Sequence, residues 1–87
     1  MSEDSLIEYP CNFPIKVMGK HSDDFVQNMV DIVLRHAPDF AADTVELRAS
    51  SGGAYVSVTC TIRAISREQL DNLYRELSGH PAVKMAL

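Results

Sequence analysis

Three short segments of this 87-residue chain gather side chains that could do chemistry: Gly19-Lys20-His21, Ser50-Ser51-Gly52-Gly53 and Gly79-His80. Adaptable glycine backbone, a lysine, two imidazoles and a nearby helix N-terminus are the groups that receive a small anion or a carboxylate. Gly19, Lys20, His21, Gly53 and His80 are therefore the candidate ligand-binding residues. Asp23 and Asp24 occupy the same helix end and compete with any anion for it, which leaves solvent-facing loops as the competing reading.

The other reactive side chains point to no reaction. Zinc takes three or four protein ligands at short spacing, and neither His21 nor His80 has a His or Cys at such spacing, so no metal and no cofactor is expected. His36 stands in the last turn of a predicted helix, where a positive charge meets the negative end of the dipole. Cys60 is in phase with Val58 and Ile62 and reads as a small core residue, since a nucleophilic thiol needs exposure and a lowered pKa. Ser57, Thr59 and Thr61 alternate on one strand face, the habit of a solvated surface. The carboxylates are scattered, and no pair is placed for acid–base work. No catalytic residue is assigned, and the chain is not expected to be an enzyme.

Charge and hydropathy narrow the partners. A net charge of −4 with no basic run argues against capture by nucleic acid or by an anionic membrane. No apolar stretch approaches the ~20 residues that span a bilayer, and the opening Met1-Ser2-Glu3-Asp4 is acidic where a secretory signal is basic. A cytoplasmic protein with both cysteines reduced is expected. A chain this short buries a smaller share of its surface than a larger one, so self-association would help it.

The elements that must position these residues follow from periodicity. Residues 1–9 read as a flexible tail with a lone Leu6-Ile7 anchor, and 10–87 as one domain. Phe13, Ile15 and Val17 alternate with Pro14, Lys16 and Met18, the period of a half-buried strand. Ser22-Asp23-Asp24 is a helix-start signal, and Phe25, Met29, Ile32 and Val33 continue it as a helix that Ala37-Pro38 ends. Residues 44–49 alternate again, Ser50-Ser51-Gly52-Gly53 supplies a reversing turn, and Val56, Val58, Cys60, Ile62 and Ala64 form the inward face of a third strand. Ser66-Arg67-Glu68-Gln69 has the spacing of a capping box, Leu70, Leu73 and Leu77 carry a second helix, and Ser78-Gly79 closes it. Val83, Met85 and Leu87 then alternate with Lys84 in a last strand.

Strand, helix, strand, strand, helix, strand folds most simply as an α+β, ferredoxin-like βαββαβ sandwich. Right-handed crossovers give a four-stranded antiparallel sheet of order 4-1-3-2 with both helices on one face. The other face would carry Lys16, Met18, Glu46, Arg48, Tyr55, Ser57, Thr59, Thr61, Arg63 and Lys84. RNA-binding versions of this fold stack bases on aromatic residues there. Tyr55 is the one aromatic residue among these positions, so RNA is not expected.

The run Leu6-Ile7-Glu8-Tyr9-Pro10-Cys11-Asn12-Phe13-Pro14-Ile15-Lys16-Val17-Met18-Gly19 resembles the opening of the YbeD-like family of small bacterial proteins. Arg35-His36-Ala37-Pro38, Ser51-Gly52-Gly53-Ala54-Tyr55-Val56-Ser57-Val58-Thr59, Gln69-Leu70-Asp71-Asn72-Leu73-Tyr74-Arg75-Glu76-Leu77 and the ending Val83-Lys84-Met85-Ala86-Leu87 extend the resemblance over residues 6–87. It implies the same fold and a likeness to ACT-type regulatory domains, which bind amino acids and control metabolic enzymes. It carries over no catalytic or binding residue. The expected function is a non-enzymatic regulatory or protein-interaction domain, with a protein partner or a homodimer formed through an edge strand. The alternative is a sensor of amino acids or small carboxylates at the loop end of the sheet.

Overall fold

The computed structural model describes residues 8–50 and 52–87. Most of the expected tail, residues 1–7, and Ser51 of the expected turn lie outside the described residues. The elements are β1 (Cys11–Lys20), α1 (Phe25–His36), a 3-10 turn (Ala42–Thr44), β2 (Glu46–Ala49), β3 (Tyr55–Ala64), α2 (Arg67–Gly79) and β4 (Val83–Ala86). All pairings are antiparallel, in the order β2-β3-β1-β4, which is the expected 4-1-3-2 read in reverse. Both helices cover one face, and the fold is the ferredoxin-like sandwich that the element order predicts.

Alternation in β1 and β3 sets the core. Ile15 and Val17 from β1 and Val58, Cys60 and Ile62 from β3 are buried against Phe25, Met29 and Val33 of α1 and Leu73 and Leu77 of α2. Cys60 lies opposite Ile15 in the β1–β3 ladder. Four residues of strand, about 13 Å, separate that row from Cys11, so no disulfide can form, and both cysteines are free. No helix among the described residues is long and apolar enough to cross a membrane.

Three local expectations change. Ser22 does not cap α1: its hydroxyl donates to Asp24 Oδ1 at 3.1 Å, Asp24 is the N-cap but its side chain accepts from no helix N–H, and the helix starts at Phe25. The delay lets the Phe25 ring seat beside Gly19. In α2 the Ser66 hydroxyl does accept from Gln69 N–H at 3.1 Å, but Gln69 Oε1 takes the Ile65 N–H at 2.7 Å rather than that of Ser66. Its amide then donates to the His36 carbonyl at 2.8 Å, so one side chain holds the chain entering α2 and fastens it to the end of α1. In β4 a bulge between Met18 and Gly19 of the facing strand breaks the alternation. Val83 pairs with Gly19 and Ala86 with Val17 on the helix side, while Met85 pairs with Met18 on the open side, where Leu87 joins it through paired backbone bonds to Lys16. The expectation that Val83, Met85 and Leu87 alternate in one phase is therefore corrected.

A charged clasp joins the helices farther along. Arg35 donates to Glu76, and His36 Nε2 meets Glu76 Oε1 at 2.7 Å. The Arg35 guanidinium first, and His36 second, hold the Glu76 carboxyl below its ordinary value. The unfolded chain therefore takes up this proton before the folded one does. The clasp stabilises the fold above the ordinary value of 4.5, and that contribution is lost as pH falls through the lowered folded value. Urea unfolding at pH 7 and pH 3.5 should show Glu76→Gln losing less stability on acidification than wild type. The difference should be small, because the pair is partly exposed, and should shrink further in molar salt. An identical acid limb in the two proteins would count against the clasp.

Candidate functional site

The loop end of the sheet does collect the described residues of the segments singled out above. Lys20 lies opposite Tyr55, the His21 N–H donates to the Ala54 carbonyl at 2.9 Å, and the Gly53 N–H closes the turn on the Ser50 carbonyl at 2.9 Å. Gly53 has φ +72°, the left-handed conformation for which glycine suits this turn. Lys20, His21 and Gly53 are neighbours here, but Gly19 and His80 face other spaces. Gly19 faces inward in phase with Ile15 and Val17, and its missing side chain makes room for the Phe25 ring and the Ala82 carbonyl. His80 caps α2 and accepts the Ala82 N–H on Nδ1 at 3.1 Å. It lines a different space, a groove of about 370 Å³ between the helices, with Asn28, Asp31, Arg35 and Glu76. Among the described residues no three His, Cys, Asp or Glu side chains come together as metal ligands. Burial pushes the Cys60 thiol up to about 11, so it stays protonated and inert at neutral pH.

The open face of the sheet is more distinctive. Since Val56, Val58, Cys60, Ile62 and Ala64 point to the helices, Tyr55, Ser57, Thr59, Thr61 and Arg63 point away, and residues directly across the ladder share their face. The register therefore sets Lys20 by Tyr55, Met18 and Arg48 by Ser57, and Lys16 and Glu46 by Thr59. Among the described residues, Lys16, Lys20, Arg48 and Arg63 thus share one surface with one facing acidic side chain, Glu46. Asp23, Asp24, Asp31, Asp39, Asp43, Glu68, Asp71 and Glu76 lie on the helices and their loops. An acidic chain carries a basic sheet face, and the expectation of no basic cluster holds along the chain but not in space. At its centre is a depression of about 490 Å³ lined by Lys16, Glu46, Leu47, Arg48, Ser57 and Thr59. Ser57 is only 7% exposed, and its hydroxyl has no hydrogen-bond partner among the described residues.

The β2 edge is the third feature. The Ser50 N–H donates to the Tyr55 carbonyl, and antiparallel alternation from that pair turns the peptide groups of Glu46 and Arg48 toward β3 and those of Leu47 and Ala49 outward. Leu47 lies opposite the buried Val58 on the helix side, yet it is 56% exposed, because the helices pack mainly over the other three strands. Summing charge and exposure by face, rather than along the chain, is the sequence signal that would have marked Lys16, Arg48 and Ser57. Nothing local marks Leu47, whose exposure depends on where the helices end.

Comparison with known proteins agrees with this architecture. A family described as a protein of unknown function, DUF493, matches residues 4–87. The chain is 58% identical over 87 residues to a UPF0250 protein of Nitrosomonas europaea, covering all of both chains. It is 59% identical over 85 residues to one of Leptothrix cholodnii, covering 98% of this chain and 93% of the other. In structure it is similar to protein HP0495 from H. pylori, with a TM-score of 0.76 at 18% identity over all of this chain and 94% of that one. It is also similar to the ACT domain from GTP pyrophosphokinase of Chlorobium tepidum, with a TM-score of 0.66 at 15% identity over 87% of this chain and 84% of that one. The register, the two helices on one face and the sequence match together make the chain a member of the DUF493/UPF0250 family, the YbeD-like group of small bacterial proteins with an ACT-like fold.

Proposed function

We propose that this protein is a non-enzymatic regulatory module that works by pairing with a second copy along β2, as an ACT-like fold with a free edge is suited to do. The observation that carries this is the self-complementarity of the edge. A two-fold axis through Leu47 sets Glu46 against the partner's Arg48 and Arg48 against the partner's Glu46. The outward peptide groups of Leu47 meet their own copies, and the Ala49 N–H reaches a carbonyl that the edge leaves free. The two Leu47 side chains cover each other on the helix side, which removes exposed apolar surface from water. Closed two-fold contacts of this isologous kind are the commonest in soluble oligomers, and an uncovered edge strand is the usual template for one.

Sedimentation equilibrium tests the reading. The wild-type mass should rise from one chain toward two with concentration, and Leu47→Asp, on a surface side chain that the monomer does not need, should hold it at one. A wild type that stays a single chain at high micromolar concentration would overturn the proposal, as would a Leu47→Asp variant that associates as the wild type does.

A further inference from the structure

We propose that the open sheet face binds a small organic oxyanion, a molecule carrying a carboxylate or phosphate group, on Lys16, Ser57 and Arg48. Among the described residues, Lys16, Lys20 and Arg48 lie within two ladder positions of Ser57 with Glu46 as the acidic side chain beside them, and this makes the face attractive to anions although the whole chain is acidic, because field at short range is set by the nearest charges. Among the described residues, neither the Lys16 nor the Arg48 side chain makes an ion pair or hydrogen bond. Ser57, whose buried hydroxyl finds no partner among the described residues, lines the depression with them.

A buried hydroxyl without a partner is unfavourable unless something supplies one, and an oxyanion accepts from it while meeting both cations. The geometry fits a compact group. Arg48 is on β2 opposite Ser57, and Lys16, on β1 opposite Thr59, is diagonal to it, so the two cations approach from opposite sides of β3 over a backbone span of about 12 Å. Met18 and Met85, paired across β1 and β4 and 37% and 50% exposed, flank the row and offer contact to the carbon skeleton of a ligand. The depression falls within the ~300–1,000 Å³ of small-molecule sites. This inference does not rest on pairing through β2, and its test leaves Arg48 unchanged because that residue also belongs to the edge.

Amide chemical shifts followed by NMR at constant ionic strength test it, with inorganic phosphate, citrate, a short single-stranded RNA and chloride titrated separately. Phosphate or citrate should give saturable shifts centred on Lys16, Ser57 and Thr59, and whichever saturates identifies the source of the oxyanion. Ser57→Ala and Lys16→Gln, with native dispersion of their spectra, should each weaken that binding at least tenfold, and Ser57→Thr should retain it. Shifts that grow linearly and equally with chloride would overturn the proposal. So would saturation centred on Lys20, His21 and His80, unchanged binding by both variants, or binding of RNA alone.

Discussion

Gly19→Ala is expected to destabilise the domain by about 3 kcal/mol or more, with a fall in Tm on the order of 15 °C. A Cβ there would lie 2.5 Å from the Phe25 ring and still closer to the Ala82 carbonyl oxygen. A side chain can rotate away, but Ala82 belongs to the connection into β4, so relief means pulling that strand off β1. For a domain whose whole stability is about 5–15 kcal/mol, this is a large fraction. Gly79→Ala is the control. Nothing lies within 4 Å of its added Cβ and it ends α2 without a positive φ, so it should be neutral or stabilising by up to about 1 kcal/mol. Thermal and urea unfolding of the pair decide the matter. A Gly19→Ala protein as stable as wild type would mean that β1, β4 and α1 do not meet as closely as described.

The second large effect is on association. Glu46→Arg alone sets a guanidinium against the partner's Arg48 at both ends of the two-fold edge, and Arg48→Glu alone sets like carboxylates there. Exposed cross-strand pairs contribute about 0.2–1 kcal/mol each. Turning two attractions into two repulsions should therefore weaken the dimer on the order of 10- to 100-fold, measured as the dissociation constant by sedimentation. Neither residue packs in the core, so the unfolding free energy of the monomer should stay within about 0.5 kcal/mol of wild type. The separation of the two readouts is the point: a variant that loses association only by unfolding would not bear on the edge.

The fold was largely legible in the sequence because its strands alternate cleanly and its helices carry their apolar residues at helical spacing. Ile15, Val17, Val58, Cys60 and Ile62 are inward in the structure as their phase implies. The exceptions are instructive. Gly19, marked as a loop glycine beside Lys20 and His21, continues the inward phase of Ile15 and Val17, and its use is to let Phe25 and Ala82 close over it. In β4 the four residues Val83–Ala86 are too few to show a bulge, which exists only in relation to the facing strand. The bulge moves Met85 to the open face and so changes what that face can touch.

The candidate sites were less legible for a different reason. Lys16, Arg48 and Arg63 are spread over half the chain, and only the register brings them to one surface. Ser57 reads as one of three alternating hydroxyl residues, yet it alone of the three is buried, since Met18 and Arg48 flank it on neighbouring strands. Leu47 alternates as a core residue should. It is left uncovered because the helices do not extend over the edge.

The most direct test of pairing through β2 is to mix the Glu46→Arg and Arg48→Glu proteins in equal amounts and weigh the mixture by sedimentation equilibrium. In a heterodimer the two arginines of one chain face the two glutamates of the other at both positions. Each protein alone should therefore sediment as a single chain while the mixture approaches the mass of two. A mixture that stays at one chain while wild type reaches two, or variants that dimerise alone as readily as wild type, would contradict the account.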